Sequence, residues 1–324
     1  MNAERKPVNA LAFGMMILLC MLWGFQPVTM KLAAPHISLV MQAGIRSILA
    51  TLLLLVWAKA RGIPLFSRDG TLWAGIVAGL MFGWEFFFIY AGLQYTGASR
   101  MTVFVNTAPC LTALGLAAFI PGERLGLRQW VGILIAFSGV ALAFAEGFSA
   151  PGKASLLGDA FGLVAALLWA ATTVLICTTK LAAVSAEKTL FYQLAVSAVL
   201  LPVVSVAMGE PGFVSMTAGV AVIIIYQAAI VAFASFLAWF WLLTKYLAAR
   251  LKAFVFLSPM FGVVSAYLVL GEPLSAAFLG AAALVAVGIV LVNLPVSFDG
   301  VRPALRSRAP KLGEHSEEFL RKKE

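Results

Sequence analysis

Charge is scarce in this chain. Only 11% of its 324 residues are Asp, Glu, Lys or Arg, too few to solvate a soluble domain of that size. Histidine is scarcer: His36 lies in a short connection and His315 near the C-terminus, neither beside a metal partner. Cys20, Cys110 and Cys177 sit inside apolar runs without paired spacing, which excludes a disulfide framework and a thiolate metal site. Nucleophile elbow, P-loop, zinc and dinucleotide signatures are absent. An intramembrane enzyme acting on lipid would need a nucleophile, base or metal cluster within those runs and ranks last. Neither cofactor nor metal is expected.

What the chain has is hydrophobicity: 62% of residues are apolar and mean hydropathy is +0.99. The apolar runs are about 18–25 residues long, enough to cross the hydrocarbon as helices. The alternating ten-residue stretches of a membrane barrel are missing. The pattern predicts an all-α integral membrane protein with ten transmembrane helices, at 11–31, 38–60, 71–94, 97–120, 128–146, 156–178, 187–208, 217–243, 251–270 and 275–294. The first run continues to Lys31 without a small-residue cleavage site, so it reads as a span rather than a signal peptide.

Basic residues set the orientation, because cytoplasmic loops retain positive charge during insertion. A cytoplasmic N-terminus puts Arg5, Lys6, Lys59, Arg61, Arg68, Arg124, Arg128, Lys180, Lys188, Lys245, Arg250, Lys252 and the basic tail inside. Only Lys31, Arg100 and Lys153 then face the opposite side. Both termini are expected in the cytoplasm. The net charge of +9 follows from this topology and from attraction to anionic membrane lipids, with no need for nucleic acid.

The two halves repeat each other. Leu22-Trp23 in span 1 matches Leu168-Trp169 in span 6, and the segments close with Lys31 and Lys180. Arg100, Pro109 and Gly122-Glu123 match Arg250, Pro259 and Gly271-Glu272, and Gly132 and Gly139 are echoed by Gly280 and Gly288. Five spans per repeat, an odd number, require the second half to insert upside down. The expected organisation is a first repeat at 1–148, a second of inverted topology at 149–295, and a cytoplasmic tail at 296–324. Inverted repeats recur in secondary transporters, whose substrate site lies between the halves near the midplane.

The residues also resemble a known family. Leu22-Trp-Gly-Phe25 followed by Lys31, Ala43-Gly-Ile-Arg46, Gly92-Leu-Gln-Tyr-Thr-Gly-Ala-Ser99 leading to Thr107-Ala-Pro109, and Gly122-Glu-Arg-Leu125 followed by Gly132 and Ser138-Gly139 are similar in order and spacing to the EamA family of the drug/metabolite transporter superfamily. The resemblance covers roughly residues 11–294. It implies a ten-helix carrier for small metabolites in the bacterial inner membrane, and its direction, export, comes from the resemblance alone. Trp23, the helix 3 aromatics and Trp169 look similar to those of YddG-type amino-acid exporters. Another metabolite, a drug-like compound or a passive channel-like route are the competing readings.

Trp23 lies about 18 Å along its helix, near the bilayer centre, whereas tryptophan favours the interface. Trp23 and Trp169 occupy matching repeat positions and are expected to face the pseudo-twofold axis together. Trp84 and Phe88, four apart, share a face of span 3. Gln26, Arg46 and Glu85 are the polar groups most clearly inside spans, where an ionisable side chain costs about 2.5–3.5 kcal/mol and is usually paired or faces water. Arg46 and Glu85 are read in three ways: complements to the two ends of a zwitterionic amino acid, Glu85 as a proton carrier, or a structural Arg46–Glu85 or Lys31–Glu85 ion pair. Thr107, Tyr226 and, beside the latter, Gln227 complete the candidate cavity. Pro109 and Pro259 should kink their helices and are read as matching hinges. Gly75, Gly79 and Gly83 form a small-residue stripe for close helix packing.

Overall fold

The computed structural model describes residues 9–119, 125–149, 154–246, 254–255 and 257–293. Arg5, Lys6, the turn Pro121-Gly122-Glu123-Arg124, Pro151, Lys153, Arg250, Lys252 and the tail with His315 lie outside the described residues. The regular elements described are all helical. They are α1 (Ala10–Ala33), α2 (Leu39–Arg61), α3 (Leu72–Gly92), α4 (Ala98–Val105), α5 (Ala108–Phe119), α6 (Leu127–Ser149), α7 (Ala154–Thr178), α8 (Ala186–Ala207), α9 (Ala218–Ile225), a π-helix (Tyr226–Ser235), α10 (Phe236–Lys245), α11 (Leu257–Leu270) and α12 (Ala276–Asn293).

Among the described residues, seven helical stretches are long and apolar enough to cross a membrane: α1, α2, α3, Ala98–Phe119, Ser155–Thr178, α8 and Ala218–Trp239. Shorter apolar helices lie at Leu127–Ala143, Leu257–Leu270 and Ala276–Val292. Seven of the described helices thus meet the length and composition of a span, and three shorter apolar ones lie where the sequence pattern predicts further spans. The 14 described residues of α11 span about 21 Å, short of the ~30 Å hydrocarbon.

Local chemistry explains the helix ends. The Asn9 side chain accepts from Ala12 N at 3.0 Å and starts α1. Gly62, at φ 66°, closes α2 in the left-handed conformation that only glycine adopts cheaply. Ser185 starts α8 by accepting from Lys188 N at 3.2 Å, and Thr217 starts α9 by accepting from Val220 N at 3.2 Å. Pro27 leaves α1 continuous. Pro109 does not: the chain leaves helix at Val105 and resumes at Ala108, because proline has no amide proton to donate to Val105 O and its ring crowds that carbonyl. Pro259 falls in the first turn of α11, where a missing amide proton costs no hydrogen bond. The sequence-expected internal kinks are therefore a break before Pro109 and a helix start at Pro259.

Packing is dominated by α6 on α12, α2 on α8, α3 on α7 and α8, and α1 on α11. The stripe Gly75, Gly79, Gly83 lies against Tyr192, Val196 and Leu200 of α8. Gly132 and Gly288 bring α6 and α12 closer still: a Cβ on Gly132 would sit 2.9 Å from Gly288 O, and one on Gly288 would sit 2.6 Å from Ala136 Cβ. Gly280, the other echoed glycine, faces open space. Gly288→Val is expected to force the two helices apart at a cost of about 1–3 kcal/mol, read as a lower melting temperature of the purified protein, while Gly280→Val leaves it unchanged.

Candidate functional site

At the end of the bundle where α1 finishes and α2 begins, here the Lys31 end, several polar side chains are buried among apolar ones. Gln42 donates from Nε2 to Met30 O at 3.2 Å and Ile37 O at 3.0 Å, joining α1, its connection and α2. Gln227, at the start of the π-helix, donates to Thr29 Oγ1 at 3.3 Å and Gln42 Oε1 at 3.4 Å, and accepts from Tyr90 Oη at 3.0 Å. Thr29 Oγ1 donates to Gln26 O at 2.7 Å. One hydrogen-bonded core therefore ties together α1, α2, α3 and the π-helix. A ten-residue π-helix is rare, and such wide turns concentrate at functional sites.

Arg46, 1% exposed, belongs to this core but is not satisfied by it. Its Nε and Nη2, and the Nε2 of Gln26, are buried without a hydrogen-bond partner. Phe86 lies under the guanidinium, 3.9 Å from Cζ to the ring centroid. Tyr90 and Glu85 are the groups acting on Arg46 electrostatically. Glu85, 5% exposed, does not come within ion-pair distance of Arg46 or Lys31.

Lys31 instead pairs with Glu272 at 3.6 Å, correcting the sequence-expected Lys31–Glu85 alternative. Glu272 lies in the connection before α12 and also accepts from Ala98 N at 2.6 Å, Ser99 N at 3.0 Å and Ser99 Oγ at 2.6 Å. It thereby caps α4 and holds two connections of the Lys31 end together. Burial pushes this carboxyl up, but the Ser99 and Ala98 donors and the Lys31 charge outweigh it and hold Glu272 below its ordinary value. Glu210 caps α2 similarly, accepting from Val40 N at 3.3 Å and Met41 N at 3.2 Å. A recess of about 510 Å³ at this end is lined by Lys31, Ser38, Leu93, Gln94 and Glu210.

At the opposite end, Lys188 Nζ donates to Asp69 Oδ2 at 2.6 Å and to Ser67 O at 2.8 Å, joining α8 to the connection before α3. The Lys188 ammonium holds the Asp69 carboxyl well below the usual carboxylate range. A recess of about 410 Å³ lies beside this pair and Lys180.

The structure distributes the sequence-predicted residues unequally. Gln26 and Arg46 join the polar core, and Glu85 adjoins it electrostatically. Trp23 donates from Nε1 to Ser235 Oγ at 2.8 Å and packs on Phe236 and Trp239, with ring centroids 6.4 and 5.9 Å away. It makes no ring contact with Trp169, which is 37% exposed on α7. Trp84, 38% exposed, packs edge-on against Phe87 and at a tilt against Phe88, and Phe88 continues to Phe161 at 5.2 Å. Thr107 lies in the α4–α5 break and donates its hydroxyl to Phe104 O at 2.7 Å. Tyr226 donates to Leu22 O at 2.9 Å, so its neighbour Gln227 is the one that enters the core. Sequence reading overlooked Asp159, an acid inside a predicted span and the same kind of signal as Glu85. It is fully buried and paired with Arg100.

An all-helical bundle with membrane-crossing helices and a buried polar core is the build of a multi-pass membrane transporter. The chain belongs to the EamA-like transporter family, whose profile matches it twice, over residues 10–145 and 156–294. It is 28% identical over 286 residues to a WAT1-related chloroplastic protein of Arabidopsis thaliana, covering 86% of this chain and 68% of that one. It is 26% identical to the uncharacterized transporter YvbV of Bacillus subtilis, covering 85% and 89%. To a probable amino-acid metabolite efflux pump of Salmonella typhimurium it is 23% identical, covering 85% and 92%. A solved crystal structure of a protein 19% identical superposes with a TM-score of 0.61, covering 88% of this chain and 96% of that one, and shows the fold alone.

Proposed function

We propose that this protein is a secondary carrier exporting small metabolites, foremost amino acids with aromatic or other apolar side chains, by alternating access. In this reading ten spans form two inverted repeats, 1–148 and 149–295, in the bacterial inner membrane with both termini cytoplasmic. The observation that carries it is the buried polar core, to which the first half contributes Gln26, Gln42, Arg46 and Tyr90 and the second half Gln227. Two successive family matches support the repeat, and relatives named as amino-acid metabolite efflux pumps support the cargo. Trp23, Trp84, Phe88, Trp169 and Tyr226 supply aromatic walls between the repeats, favouring apolar side chains by burial and stacking. Phosphorylated cargo would need more cations than Arg46. Pro109 and Pro259 act as hinges. Glu85, buried and without an ion-pair partner among the described residues, carries a proton in exchange.

Uptake of a labelled amino-acid panel into proteoliposomes, at imposed and collapsed proton gradients, tests this reading. Flux is expected for apolar and aromatic members, lowered about tenfold in Trp23→Ala, and made independent of the proton gradient in Glu85→Gln. The absence of flux with every amino acid, or a Trp23→Ala variant indistinguishable from the wild type, contradicts it.

A further inference from the structure

We infer that Arg46 and Gln26 form the receptor for a carboxylate group on the transported molecule. The inference rests on the carrier reading and names the chemistry of its site. Within the polar core Gln42, Gln227, Tyr90 and Thr29 satisfy one another or nearby carbonyls. The surplus is confined to three nitrogens: Arg46 Nε, Arg46 Nη2 and Gln26 Nε2. Buried donors without acceptors are costly and rarely left so without a reason.

The pattern of that surplus identifies its complement. Nε and Nη2 form one edge of the guanidinium, the edge that presents two parallel N–H groups to the two oxygens of a carboxylate. Phe86 lies against the face of the guanidinium and not against this edge. Gln26 and Arg46 both lie within polar range of the Tyr90 hydroxyl, so the third donor belongs to the same place. All three groups are donors, and they call for a partner that only accepts. The partner is a monoanion. Arg46 is the core's single cation, since Lys188, the other fully buried one among the described residues, is paired with Asp69 beyond the far end of α3. Glu85, buried on α3 and acting on Arg46 electrostatically, suits an ammonium group or a proton. The ligand class is therefore a small monocarboxylate with an apolar side chain, of which a zwitterionic amino acid is the fullest match.

The test uses two matched sets of probes: L-phenylalanine, 3-phenylpropanoate, L-phenylalaninamide and 2-phenylethylamine, and the corresponding compounds built on leucine. Affinity is read from thermal stabilisation of the purified full-length protein, wild type, Gln26→Leu and Arg46→Lys. The carboxylates are expected to bind at least about tenfold more tightly than the amide and amine. Gln26→Leu should weaken the carboxylates about tenfold while leaving the amide and amine unchanged, and Arg46→Lys, which keeps the charge but loses the fork, should weaken them further. Gln26→Leu should also melt no lower than the wild type without ligand, because it removes an unsatisfied buried donor; a merely structural Gln26 would give the opposite result. Amide or amine binding as tight as the acid, carboxylate affinity unaltered in Gln26→Leu, or no carboxylate binding at all overturns the inference. Binding of 3-phenylpropanoate without the amino acid would remove the amino-acid reading and leave the receptor standing. Equal binding of an amino acid and its amide would remove the receptor and leave amino-acid transport standing.

Discussion

Replacing Asp159 by alanine is expected to destabilise the protein by about 3–5 kcal/mol, because it strands a largely buried arginine. Arg100 on α4 donates from Nε to both Asp159 oxygens at 3.1 Å, pairs with Asp159 through Nη2, and donates from Nη2 to Ala143 O at 2.7 Å. Thr96 Oγ1 adds a bond to Asp159 at 2.7 Å. One carboxylate thus binds α4 to α7 and, through the arginine, to α6. Asp159 has no exposed surface and the Arg100 side chain only 16%, so water does not replace the lost partner. The melting temperature of purified Asp159→Ala should fall sharply, whereas the double substitution Arg100→Met with Asp159→Leu recovers most of the loss by removing both charges together. If Asp159→Ala melts like the wild type, the pair does not hold these helices.

The second large effect is expected at Glu272. Its carboxylate caps α4 through Ala98 and Ser99 and pairs with Lys31. If the carrier alternates as proposed, Glu272→Ala, which removes charge-assisted bonds worth about 1.5–3 kcal/mol, shifts the balance between a closed and an open Lys31 end about tenfold or more. In a background carrying Cys177→Ser, a cysteine replacing Thr102, 4% exposed and one turn below Ser99, should react faster with a polar thiol reagent when Glu272 is absent. Unchanged reactivity would mean that Glu272 latches nothing. The pH dependence has a definite sign. A carboxyl held below its ordinary value stabilises the latched form fully above the usual carboxylate range and loses that effect only as pH falls through its lowered value. Between about pH 5 and 8 the latch therefore does not switch, and any pH dependence of transport in that window must arise elsewhere.

The helices were legible because lipid-length apolar runs, broken by Gly and Pro, leave few alternatives. Gln26, Arg46 and Glu85 were legible for the same reason: a polar group in such a run stands out against its neighbours. Their partners were not. Burial of Arg46 on Phe86, and of Gln227 rather than Tyr226 in the core, depends on helix rotation, and the π-helix turns that face in a way that a periodicity of 3.6 does not predict. The sequence offers Glu85 as one partner for Lys31, but Glu272 arrives from the far half of the sequence through a connection whose path no local pattern encodes. Gln42 was within reach of sequence reading, since it lies one turn before Arg46 on the same helix face. Trp23 and Trp169 correspond in sequence, yet Trp23 turns to Ser235 and Trp239, so repeat symmetry in the chain did not carry over to the contacts of each ring.

The most direct test of the carrier account is counterflow. Proteoliposomes loaded with unlabelled L-phenylalanine or L-leucine and diluted into the labelled compound should accumulate label transiently above equilibrium, as a site that alternates between two faces requires. Label that enters at the same rate with or without substrate inside would contradict the account and leave a channel in its place.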